Sequence, residues 1–167
     1  MKVSTSHAFP ISEDTFWKEI YFNEEYNKTL YIEQIHAEAY ETVEFTQNDD
    51  EIIRQVRITP RQEAPKIITK FIKGKLSYLE KGRFDKKEKI FRFDITPSAM
   101  TDKLTINGKV FVESRGGSIT RTIDLDLTAK IFGVGGQIEK FIGGQIRKGY
   151  DESFPYTIEW IKSHNLK

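Results

Sequence analysis

The stretch Ile119-Thr120-Arg121-Thr122-Ile123-Asp124-Leu125-Asp126-Leu127-Thr128-Ala129-Lys130 decides the fold, together with the glycine-rich segment after it. Ile119, Arg121, Ile123, Leu125, Leu127 and Ala129 face one way, and Thr120, Thr122, Asp124, Asp126, Thr128 and Lys130 the other, which is the period-two pattern of a strand. One face of such a strand is wet and the other needs cover. After Gly133-Val134-Gly135-Gly136 the period turns helical. Val134, Ile138, Phe141 and Ile142 make one stripe, and beyond Pro155 a second holds Phe154, Ile158 and Ile161. A single helix from Val134 to Lys162 would be about 43 Å long, with a kink expected at Pro155. It supplies the only apolar surface in the chain long enough to cover a sheet.

Upstream, the same alternation recurs. Val3, Thr5, His7 and Phe9 predict a first strand closed by Pro10. Ser12 reads as an N-cap, with Ile11 and Phe16 placed as a hydrophobic staple and Glu13 and Asp14 in the first turn. The first helix carries Phe16, Trp17, Ile20 and Tyr21; Asn23 breaks it before a second with Tyr26, Leu30 and Tyr31. Glu41, Val43 and Phe45 share a face of the next strand, Asn48-Asp49-Asp50 turns the chain, and Ile52, Arg54, Val56 and Ile58 share a face of its partner. Pro65 to Gly74 reads as a short helix. Strands resume at Leu76–Phe84 and Ile90–Ile95, with Phe91, Phe93 and Ile95 on one face, and then at Lys103–Ser114, where Asn107-Gly108 is expected to form a bulge.

Composition narrows the function. With 26 basic against 25 acidic residues in 167, the chain lacks the basic excess of a dedicated nucleic-acid binder. It has no cysteine, which removes disulfides, thiolate metal sites and cysteine nucleophiles. No metal or cofactor is expected: His7, His36 and His164 have no ligand spacing, and the glycines at Gly133 lack the G-x-G-x-x-G pattern. Asn27-Lys28-Thr29 is a formal glycosylation sequon that matters only in a secreted chain. No signal-like apolar run opens the chain and no apolar stretch approaches the roughly 18 residues of a membrane span, so a cytoplasmic protein is expected. No linker or repeat interrupts residues 1–167, which predicts one domain. The aromatic content, 13%, stands out against a mean hydropathy of -0.52.

The element order is strand, two short helices, six strands and one long helix. With Ile11-Ser12-Glu13-Asp14-Thr15-Phe16-Trp17 entering the first helix and Gly133-Val134-Gly135-Gly136-Gln137-Ile138-Glu139 entering the last, the chain resembles the START-like, helix-grip (SRPBCC) superfamily. That group includes the birch-pollen allergen type, the steroidogenic-acute-regulatory-related lipid-transfer domains and the polyketide cyclases; the likeness is to a bacterial branch with no assigned activity. The resemblance implies an α+β fold in which a seven-stranded antiparallel sheet wraps around the C-terminal helix. It also implies a small hydrophobic or lipid-like ligand held between them.

Twelve residues are candidates for that site: Trp17, Glu41, Phe45, Arg54, Phe71, Phe91, Phe93, Arg121, Phe141, Gln145, Gly149 and Phe154. On the last helix the stripe through Ile138, Phe141 and Ile142 continues to Gln145 and Gly149, where either a ligand or opposing rings fill the volume. Gly143 and Gly144 project outward, and either soften the helix or let it bend. Arg54, Arg121 and Glu41 interrupt apolar faces; they reach water at the rim, pair internally, or meet a ligand head group, and arginine suits an acidic one. Trp17 and Phe71 sit where short helices edge an opening. The helix Lys66–Lys73 reads as packed on its own domain, as a lid, or as a transient membrane-surface contact. Binding or transfer of an apolar ligand is the leading function. A cyclase or dehydratase using Glu41, Arg54 and Arg121, and a protein-interaction module, are the alternatives.

Overall fold

The computed structural model describes residues 1–61, 69–70, 76–99 and 101–167. Its strands are β1 (Lys2–Phe9), β2 (Ala39–Gln47), β3 (Glu51–Thr59), β4 (Tyr78–Asp85), β5 (Ile90–Pro97), β6 (Leu104–Arg115) and β7 (Ser118–Ala129). They form one antiparallel sheet in the order β1-β7-β6-β5-β4-β3-β2. From β2 to β7 each strand pairs antiparallel with the next, while β1 pairs with β7, with Val3 opposite Leu125 and His7 opposite Arg121. Among the described residues the helices are α1 (Glu13–Thr15), α2 (Glu24–Thr29) and α3 (Gly135–Ser163). The helix-grip architecture is therefore present: a seven-stranded antiparallel sheet, two short helices after the first strand, and a long last helix.

Local chemistry explains the helical starts. Ser12 Oγ accepts from Thr15 N at 3.2 Å, and both staple residues, Ile11 and Phe16, are fully buried. Asn23 ends the first helical run and caps the second, its side chain accepting from Tyr26 N at 2.8 Å. Each short helix widens into a π-helical turn, Phe16–Tyr21 and Leu30–Gln34, closed by Phe22 N to Trp17 O at 3.0 Å and Ile35 N to Leu30 O at 2.9 Å. Asn27 is buried and its amide donates to the carbonyls of Ile20, Tyr21 and Asn23, so the sequon asparagine holds the two helices together.

α3 runs unbroken for 29 residues through Pro155 and packs over β1, β7 and the second π turn. Its buried stripe is Ile138, Gly143, Ser153, Thr157 and Ile161, with Ile142, Ile146, Tyr150 and Phe154 packed beside it. This corrects the outward placement of Gly143: a Cβ there would lie 2.2 Å from Met1 Cε and 2.9 Å from Val3 Cγ2, so the glycine lets the helix settle onto β1. Gly144 does face out. Gly108 also departs from expectation, since β6 pairs with β5 and β7 in unbroken register. The glycine makes room instead, its Cβ position lying 2.7 Å from Phe93 Cζ. The bulge of the sheet is in β2, between Thr42 and Glu44.

The main core lies between the sheet and the helices, where Phe9, Phe91, Val110, Ile123 and Leu127 have at most 1% exposure. Each such side chain contributes roughly 1.5–3 kcal/mol of burial. Ala37, Val56 and Ile58 form a second, separate cluster under Tyr31, Tyr40 and Tyr78. Apart from Thr69 and Lys70, the segment expected to form the helix Lys66–Lys73, Phe71 included, lies outside the described residues.

Candidate ligand-binding interior

Strand register lays the inner face out in rows. One row crosses from Phe45 through Arg54, Gly82, Phe93, Gly108 and Leu125 to Val3. The next holds Val56, Glu80, Ile95 and Ile106. Arg54 and Glu80 are thus diagonal neighbours on β3 and β4, and they pair at 2.9 Å with side chains 9% and 8% exposed. Arg54 Nη1 also donates to Tyr21 O at 2.6 Å, a carbonyl at the end of the first π turn that also accepts from the Asn27 amide. The guanidinium lies 4.7 Å from the Tyr21 ring and 5.0 Å from that of Phe91. Gly82 makes this possible: the tip of the Phe91 ring, Cζ, sits 1.9 Å from where a Cβ would be. Burial alone would lower the pKa of Arg54, but the carboxylate of Glu80 beside it reverses the sign and raises it.

Arg121, on β7, is 5% exposed and differently partnered. Its Nη2 lies 2.8 Å from His7 Nδ1, and His7 Nε2 lies 3.0 Å from Asp151 Oδ1 on α3. An arginine only donates, so Nδ1 accepts, Nε2 carries the hydrogen, and His7 is neutral. Burial, and then Arg121, hold the His7 pKa below its ordinary 6.5 against the raising effect of Asp151. Burial likewise lowers Arg121. The guanidinium is flanked by the rings of Phe9 and Tyr150, 5.2 and 5.1 Å away, and His7 stacks on Phe154 at 5.0 Å.

Tyrosines lie beside both centres, Tyr21 against Arg54 and Tyr150 against Arg121. Burial raises the phenols of Tyr21, Tyr31, Tyr78 and Tyr150, that of Tyr150 to about 12. After burial, Glu80 also raises the Tyr150 phenol while Arg121 and Arg54 lower it, and its ring lies 5.1 Å from the Arg121 guanidinium. Tyr26 donates to Thr157 Oγ1 at 2.6 Å, tying α2 to α3, since Thr157 itself donates to Ser153 O.

Of the twelve expected residues, the fold brings Arg54, Phe91, Phe93, Arg121 and Phe154 to the interior. The rim reading of both arginines is corrected: they are mid-strand and buried. Trp17 is 5% exposed and lies 4.4 Å from the Phe84 ring, a core position and not an edge. Glu41 is on the outer face, paired with exposed Arg57 at 2.9 Å. The β2 bulge shifts the phase, so Phe45 is on the opposite face from Glu41, opposite Arg54, and contacts Phe22 while 45% exposed at the sheet edge. Phe141, Gln145 and Gly149 are half-buried on the shoulder of α3, and a Cβ at Gly149 would meet nothing within 4 Å. Glu80 and the tyrosines were missed. Glu80 has a signal in hindsight, since it shares the parity of buried Phe84 on β4.

A groove of about 960 Å³ lies on the other, outer face of the sheet, among Lys81, Arg83, Arg92, Asp94, Lys109 and Asp124. Among the described residues, Phe93 is the only expected site residue on its lining, and its charges partly neutralise one another, as in Lys109–Asp124 at 3.6 Å.

The seven-stranded antiparallel sheet and the long covering helix define a protein of the helix-grip fold. Solved structures that share this fold include TTHA0849 from Thermus thermophilus, with 14% identity, TM-score 0.66, and 98% of this chain and 99% of that one covered. Another is the Zhui aromatase/cyclase from Streptomyces sp. R1128, with 8% identity, TM-score 0.65, and 95% and 92% covered. A third is a START superfamily protein from Mycobacterium smegmatis, with 13% identity, TM-score 0.61, and 96% and 98% covered. At such identities the likeness is one of fold. No curated protein matches the sequence. Within the class, the chain belongs to the family described as protein of unknown function (DUF2505), whose model matches residues 4–161.

Proposed function

We propose that this protein binds a small hydrophobic ligand between the inner face of the sheet and α3. The carrying observation is that an otherwise apolar interior holds Arg54, Glu80 and Arg121, each under a tenth exposed, beside buried Tyr26 and half-buried Tyr21 and Tyr150. A plain core gains nothing from such groups, because each buried polar atom costs free energy unless it is paired. A ligand site uses them to orient an apolar molecule. The fold is consistent with this, since a protein of the same architecture is an aromatase/cyclase. The enzymatic alternative built on Glu41, Arg54 and Arg121 loses its third member, because Glu41 faces outward beside Arg57.

The test is native mass spectrometry of the purified protein, joined to displacement of a fluorescent apolar probe by a panel of alcohols, acids and sterols. A co-purifying small molecule, or saturable displacement by at least one of the panel, supports the reading. No bound species and no displacement by any of them overturns it.

A further inference from the structure

The two buried arginines are not equivalent. Arg54 has its charge matched by Glu80 at 2.9 Å and a second donor on Tyr21 O. Arg121 is as deeply buried, yet among the described residues no carboxylate lies within 4 Å of it, and its one hydrogen bond there runs to a neutral imidazole nitrogen. The Nε hydrogens of both arginines lack an acceptor among them, so what separates the two is the carboxylate that Arg54 has and Arg121 does not. The imidazole separates it from Asp151, whose side chain is 55% exposed and already engaged with His7. A buried cation without a counter-charge is costly, and the ordinary remedy is an anion with oxygens placed for the guanidinium fork.

Counting charges selects the anion. Arg54 and Glu80 cancel, leaving Arg121, among the described residues, as a single uncompensated positive charge inside. One carboxylate neutralises it. A phosphate dianion would leave an excess negative charge in a buried site with no second free cation among those residues. The rings of Phe9 and Tyr150 on either side of the guanidinium provide apolar surface for the remainder of the molecule.

Resting on the binding reading above, we propose that Arg121, and not Arg54, receives the carboxylate of an amphiphilic organic acid whose apolar part occupies the interior. The probes are decanoate and 1-decanol at submicellar concentration, compared by isothermal titration calorimetry on the wild type and on Arg121→Met. Decanoate is expected to bind the wild type at least roughly tenfold more tightly than 1-decanol, as one charge-assisted contact implies. Arg121→Met is expected to abolish that preference while leaving 1-decanol binding within about threefold. A second measurement needs no variant: the Arg121 Nε–H resonance of the wild type should shift on saturation with decanoate and stay in place with 1-decanol. Equal affinity for the two probes, equal loss of both in Arg121→Met, or an unmoved Nε–H resonance overturns the proposal. Binding of 1-decanol without decanoate would sink this inference and leave the binding reading standing. Binding of neither would sink this inference, and the binding reading would then be decided by the mass spectrometry and the wider displacement panel. If Arg121→Met fails to fold, the resonance decides.

Discussion

Neutralising Glu80 should destabilise this protein far more than removing the whole pair. Glu80→Gln keeps the size of the side chain and an acceptor oxygen, but leaves the Arg54 guanidinium buried without its counter-charge. Charges about 4 Å apart attract by about 4 kcal/mol at an effective dielectric near 20. That attraction offsets the desolvation of two groups each less than a tenth exposed. Losing one partner from such a pair costs about 3–5 kcal/mol, a large share of the 5–15 kcal/mol typical of a domain. For a chain of this size it corresponds to a fall in Tm of roughly 6–20 °C. The double variant Arg54→Met/Glu80→Leu removes both charges and leaves apolar groups beside Phe91 and Tyr21, so it should recover most of the loss. Urea unfolding with linear extrapolation measures all three proteins. The reasoning is refuted if Glu80→Gln costs under about 1 kcal/mol, or if the double variant is no more stable than the single one.

The packing and the protonation states set three further outcomes. Gly82→Ala should destabilise by about 1–3 kcal/mol because its Cβ would land on the Phe91 ring, whereas Gly144→Ala, with nothing within 4 Å, should stabilise by about 1 kcal/mol; thermal unfolding separates the signs. Tyr26→Phe removes the 2.6 Å bond to Thr157 and should cost about 0.5–1.5 kcal/mol in urea unfolding. For His7, the folded pKa lies below 6.5, so the unfolded chain takes up the proton first and stability is lost as pH falls below that value. Between about pH 7.5 and about pH 5 the wild type should therefore lose more stability than His7→Gln, and an equal loss would contradict the neutral imidazole inferred beside Arg121.

How much of this was legible in the chain depends on how local each cause is. Ser12 and Asn23 act on backbone groups three residues away, so the helix starts could be read directly. The alternation of β7 announced its wet and covered faces without any partner strand. Gly108 shows the limit: alone in a strand it signals a bulge as readily as a close approach, and only the Phe93 ring across the sheet chooses between them. On β2 one extra residue reversed the face of Glu41, and a bulge is set by pairing with β3 rather than by the residues themselves.

Taken alone, the sequence determined the order of elements, the inner face of β7 and the presence of two arginines on apolar faces, because periodicity and caps are properties of neighbouring residues. Which arginine has a counter-charge was decided only by tertiary structure. Glu80 lies 26 residues from Arg54 and His7 lies 114 from Arg121. Charge compensation is a matter of distance in space, so the same residue type becomes half of a closed ion pair in one place and, among the described residues, an unmatched cation in the other.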